Sequence, residues 1–103
     1  MSSRHLVAGP ASGHPEASTV VGWDPALATY FCDVELPGGV LTPVAGGTRG
    51  EIGRADALAA VLSARGMRLP AVLVARLRLE LLAVPGAEVP HLDWRSGEPT
   101  PIT

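Results

Sequence analysis

Through residue 44 the chain alternates short β-patterned runs with turn signals, and beyond it the apolar positions change to helical spacing. "STVVGW" at residues 18–23 is a β-branched run that stops at Asp24-Pro25. The Asp24 carboxylate can bond the backbone ahead and the proline ring fixes φ, so both residues predict a turn. From Thr29 onward, Tyr30, Cys32, Val34 and Leu36 fall on one face and Phe31, Asp33 and Glu35 on the other. That period of two predicts a half-buried strand. "PGG" at 37–39 predicts a hairpin, and "VLTPV" a third short strand. Pro43 has no N–H to give a ladder, which confines this strand to an edge.

"TRGEIGRADALAAVLSARG" predicts a first helix, with Thr48 and Glu51 at capping-box spacing and Gly66 as its stop. Ile52, Ala55, Leu58, Ala59 and Leu62 form its apolar stripe. Pro70, suited to a first helical position, opens "PAVLVARLRLELLAV", predicted as a second helix; Leu77, Leu79 and Leu81 also alternate as a strand would. Length and the leading proline favour the helix. At about 100° per residue, Leu73, Val74, Leu77, Leu81 and Val84 share one side. Val72, Ala75, Leu79 and Leu82 share the opposite side, and Arg76 with Glu80, and Arg78, separate the two stripes. A helix with two apolar stripes has two things to touch, its own sheet and either the other helix or a second subunit.

These elements define an α+β fold: a three-stranded antiparallel meander followed by a two-helix hairpin packed on one face. Residues 18–84 are the single α+β domain. Residues 1–17 read as a flexible N-terminal arm and 85–103 as a Pro-rich C-terminal tail.

Composition narrows the function classes. A chain of 103 residues has a small core, and its single cysteine excludes an internal disulfide. Self-association is the remaining way to gain stability, so a homo-oligomer is expected. Arg76, Arg78 and Glu80 interrupt the longest apolar run, which predicts no membrane span, and the absence of an apolar leader predicts a cytoplasmic protein. No cofactor is expected, because no Cys/His set has metal-ligand spacing and neither glycine pair belongs to a phosphate loop.

Charge is unevenly placed although the net is only −2. Residues 16–36 carry four acids and no base, whereas residues 49–80 carry six arginines against Glu51, Asp56 and Glu80. Such asymmetry can steer head-to-tail association or attract an anionic partner. The arginines Arg49, Arg54, Arg65, Arg68, Arg76 and Arg78 are candidate anion contacts. The helical hairpin around Gly66 also has the outline of a helix-turn-helix, so a DNA-binding regulator is the alternative reading. Against it, Leu62 stands where that motif prefers a small residue, and Ala71, Val72 and Leu73 offer no polar group to a base edge.

Candidate catalytic residues reduce to structural ones. Cys32 shares its face with Tyr30, Val34 and Leu36, where a small buried hydrophobe belongs. His5, His14 and His91 lie in the arms and read as solvated. Asp33 and Glu35 project from one face about 7 Å apart, a spacing that paired carboxylates can use on a glycoside, but alternate acids on a solvated face explain them as well. No nucleophile, base and orienter assemble from neighbouring motifs, so no enzymatic activity is expected. Trp23 reads as a core anchor and Trp94 as a residue that pins the tail or docks a partner. Phe31, apolar on the acidic face, together with Val72, Leu79, Leu82 and Trp94, makes up the candidate interaction set.

The stretch "VVGWDPALATYF" with Leu69-Pro70-Ala71 resembles short uncharacterised bacterial proteins that open with a G-W-D-x-P/A-L-x-T-[FY]-F strand pair and continue into a Leu-Pro-Ala helix. The resemblance covers residues 18–82 and implies the same segmentation. It transfers no site, because that group has no assigned activity. The function expected is a small non-catalytic interaction or regulatory module that self-associates or meets a further protein partner.

Overall fold

The structure, a computed structural model, describes residues 2–7, 18–82 and 90–102. The elements run β1 (Arg4–Val7), β2 (Ser18–Asp24), β3 (Thr29–Leu36), β4 (Val40–Ala45), α1 (Ala55–Ser63), α2 (Ala71–Glu80), β5 (His91–Asp93) and β6 (Thr100–Pro101). The fold is α+β, with one six-stranded mixed sheet in the order β4-β3-β2-β1-β5-β6 and both helices against one of its faces.

The meander of β2, β3 and β4 is present within one residue of the predicted boundaries, but it is half of the sheet rather than all of it. Arg4–Val7 pairs antiparallel with β2, setting His5 opposite Val21, and parallel with β5, setting His5 opposite Leu92. Parts of both supposed arms are therefore strands. The cause is unpaired backbone: a three-stranded sheet would leave the inner edge of β2 open, and the two remote segments close it. Residues 8–17 and 83–89, which hold the rest of the predicted arm, the last two residues of the predicted second helix and the start of the predicted tail, lie outside the described residues.

Local chemistry explains the turns. Asp24 Oδ1 accepts from the Ala26 and Leu27 N–H groups at 3.0 and 3.3 Å, which closes the turn between β2 and β3. The price of that tight loop is Ala28, held at a φ of 50°. On β4 the register slips opposite Cys32 and Asp33, so Ala45 faces Cys32 while Pro43 faces Asp33. Pro43 lies on an edge strand, as its missing donor requires.

The first helix starts six residues later than its capping-box spacing predicts, with Arg54 rather than Thr48 at its N-cap. Between Thr48 and Gly53 the backbone is engaged by β3 and its preceding turn: Gly50 N–H donates to Leu27 O, Tyr30 N–H to Ile52 O, and Ile52 N–H to Thr29 Oγ1. Glu51 accepts from the Gly46 N–H at 2.8 Å and so caps a turn instead of a helix. Gly66, at φ 79°, ends the following turn, and Met67 N–H returns to Leu62 O. The second predicted segment is a helix and not a strand, covering Ala71–Glu80 of the predicted 70–84.

The core lies between sheet and helices. Val7, Val21, Tyr30 and Cys32 meet Leu58, Leu62, Leu73 and Leu77, with Ile52, Met67 and Trp94 closing the margins. The Tyr30 hydroxyl crosses this core and donates to Leu77 O at 2.5 Å. That carbonyl is one of the last four of α2, so a sheet residue caps a helix end.

Candidate functional site

Two surfaces and one buried cluster hold the residues singled out by sequence. On α2, Leu73 and Leu77 are fully buried, while Val72 and Leu79 are each 68% exposed and Leu82, just past the helix, is 75% exposed. Of the inner stripe, Leu73, Val74 and Leu77 pack on their own chain, Leu81 past the helix end is 43% exposed and Val84 lies outside the described residues, while Val72, Leu79 and Leu82 of the outer stripe stay exposed. Arg76 flanks that outer stripe without an ion-pair partner among them, and Arg78 flanks it on the other side, paired with Asp56.

The second surface is the sheet face turned away from the helices. Alternation places Arg4, Leu6, Val20, Gly22, Phe31, Asp33, Glu35, Leu41, Pro43, His91 and Asp93 on it; Leu6, Val20 and Gly22 are buried, and the accessible part lies over β3 and β4 and at His91. An open groove of about 420 Å³ runs across it, lined in part by Leu27, Phe31, Asp33, Leu41 and Pro43. Leu41 is 48% exposed. To reach Glu35, with which it pairs, Arg4 extends diagonally across β2 past Val20 and Asp33. Asp33 is half-buried, makes no side-chain hydrogen bond among the described residues, and has its carboxyl raised by burial, an effect that nearby Arg4 opposes. The face is acidic on balance, with Asp24, Asp33, Glu35 and Asp93 set against Arg4 and Arg95.

Phe31 is half-buried on this face for a local reason. It sits opposite Gly22, and a Cβ at Gly22 would come within 2.9 Å of its ring and 2.3 Å of Ser3 O. The ring therefore lies over the glycine, covering backbone that no side chain shields. Its outer surface contributes to the groove wall.

The buried cluster was not anticipated. His5 is fully buried rather than solvated. Trp94 Nε1–H donates to His5 Nδ1 at 3.0 Å. An indole nitrogen only donates, so His5 Nδ1 is unprotonated and its Nε2–H donates to Glu80 Oε2 at 2.7 Å. Ser3 Oγ donates to Glu80 Oε1 at 2.6 Å and accepts from the Trp23 N–H at 2.9 Å. Trp94 is therefore a core residue, 4% exposed, and not an outward docking residue. The arrangement is a strut, since the Ser3 hydroxyl is committed to Glu80 and His5 does not activate it. The sequence signal for it was weak: "RHLV" is too short for its alternation to announce a strand.

Cys32 is buried and its thiol is pushed up to about 11 by burial, with Asp33 adding to the effect and Arg65 opposing it. This environment suppresses the thiolate that nucleophilic chemistry needs. Arg49, Arg54, Arg65, Arg68, Arg76 and Arg78 are all exposed, and Asp56 lies within ion-pair reach of both Arg54 and Arg78. No helix of the described residues is long and apolar enough to cross a membrane. Comparison with family models, curated proteins and solved structures finds no match to the chain.

Proposed function

We propose that this chain is a small non-catalytic protein-interaction module that self-associates through the outer face of α2 and the open sheet face. The observation that carries the reading is the exposed stripe of Val72, Leu79 and Leu82 on a helix whose other side is already buried. Scattered apolar side chains on a surface mean little, but a second aligned stripe on one helix is a contiguous patch that water solvates poorly. A regulatory role in the bacterial cytoplasm is the setting that best suits such a module. Light scattering at micromolar concentration tests it: the wild type should exceed monomer mass and Leu79→Glu should not. A strict monomer at these concentrations overturns self-association.

The alternative is a DNA-binding regulator, favoured by five exposed arginines, Arg54, Arg65, Arg68, Arg76 and Arg78, on or beside the two helices. Phosphate contacts would make binding to mixed-sequence DNA fall steeply with salt. Absence of binding at about 50 mM salt removes this alternative.

A further inference from the structure

We propose that self-association is head-to-tail, the outer face of α2 in one copy seating in the open-face groove of the next, with Arg76 meeting Asp33. The inference rests on the self-association reading and adds its geometry.

Charge decides between the available arrangements. A symmetric α2-to-α2 contact would place its two-fold axis near the middle of the stripe formed by Val72, Ala75, Leu79 and Leu82. That axis brings each residue near mid-stripe beside its own copy, so Arg76 faces Arg76 and Arg78 faces Arg78. Like charges are then pressed together at the centre of the contact, where water is being removed and repulsion is strongest. Arg78 has Asp56 beside it, but the Arg76 flank carries no acid to relieve this, because Glu80 is turned inward and held by Ser3 and His5, so the Arg76 pair carries the repulsion.

The open sheet face has the opposite character. Its groove offers Phe31, Leu41 and Pro43 as apolar walls for Leu79 and Leu82, and it carries the acidic excess that the helix side lacks. Asp33 is a half-buried carboxylate without a hydrogen-bond donor among the described residues, and Arg76 is an exposed guanidinium without a carboxylate. Each supplies what the other needs, and an Arg–carboxylate pair can bond through two parallel N–H groups.

The two surfaces lie on opposite sides of the molecule, because the helices cover one face of the sheet and the groove opens on the other. A contact between different surfaces on opposite sides leaves a free groove at one end and a free helix at the other. Such a contact propagates into chains or closes into rings, and it does not stop at a two-fold dimer.

Two surface variants separate these geometries. Leu79→Glu disables the helix face and Leu41→Glu disables the groove, and both positions are exposed enough for the monomer to keep its fold, which circular dichroism would verify. By light scattering the wild type should grow past dimer mass with concentration, and each variant alone should stay monomeric. An equimolar mixture of the two should give a dimer and nothing larger, since one intact groove then meets one intact helix. Asp33→Arg and Arg76→Asp should each weaken association by about tenfold or more, and the two reversals in one chain should restore it.

A Leu41→Glu protein that still dimerises, together with a mixture that adds no new species, overturns the head-to-tail geometry and leaves self-association standing as a symmetric contact. A monomeric wild type overturns both.

Discussion

The indole N–H of Trp94 bonds Nδ1 of His5 at 3.0 Å, joining β1 to the residue that directly follows β5. This bond selects the Nε2–H tautomer, which Glu80 then receives. Nitrogen-15 NMR at neutral pH should find His5 protonated on Nε2 alone. Trp94→Phe should cost about 2–3 kcal/mol in denaturant unfolding, since it leaves a buried acceptor unmet and a smaller ring in its place.

Tyr30→Phe removes the hydroxyl that caps α2 without changing the packing of the ring. The Leu77 carbonyl then loses its donor inside the core, and stability should fall by about 1–2 kcal/mol. Hydrogen exchange should quicken first in the last turn of α2. Uniform loss of protection across the sheet would place the effect elsewhere.

Cys32 supplies a prediction about pH. Its thiol is raised from 9.0 to about 11. Below the lower value native and unfolded chains both keep the proton. As pH climbs through the interval the unfolded chain releases it while the native chain retains it. Stability should therefore decline between about pH 9 and 11, and Cys32→Ala should flatten this part of the profile. At pH 8 the native thiol should react with a disulfide reagent about a hundredfold or more slowly than in denatured protein.

Ala28 occupies left-handed backbone at φ 50°, where an L side chain crowds the following carbonyl. Replacing it with glycine relieves that contact and adds freedom to the unfolded chain, and the first effect is the larger. Ala28→Gly should raise stability by about 0.5–1 kcal/mol in thermal or denaturant unfolding, with no change in association.

Asp33 separates folding from assembly. Burial raises its carboxyl above the ordinary value of 3.8, so its contribution to stability is present in acid and lost as pH rises through the native value. At neutral pH the charge opposes folding of the monomer. Asp33→Asn should leave the monomer as stable or more stable by up to about 0.5 kcal/mol at pH 7, with no gain at pH 3. The same variant should weaken self-association, an opposite sign that a general loss of structure cannot produce.

Alternation and turn chemistry were enough to locate β2, β3 and β4 and the stop at Gly66, because each is decided by residues within a few positions. The outer stripe of α2 was also legible, as periodicity alone separates Val72 and Leu79 from Leu73 and Leu77. What could not be read depends on partners far along the chain. Arg4–Val7 and His91–Asp93 are too short to show a pattern, and become strands because each covers the other's backbone. The capping-box spacing of Thr48 and Glu51 misled for a related reason: Thr29 and Leu27 captured the backbone that a helix would have used. Phe31 looked unexplained until the register set it over Gly22.

The central position of β1 also bears on how the chain matures. The segment that follows it, β2, can cover one of its edges early, yet its other edge is filled by residues translated only after both helices. A nascent chain must hold that bare edge through the synthesis of both helices, exposed to any other strand nearby. Until Trp94 arrives, His5 lacks its donor, and the ribosome-bound intermediate is a domain whose central strand is still unmatched on one side.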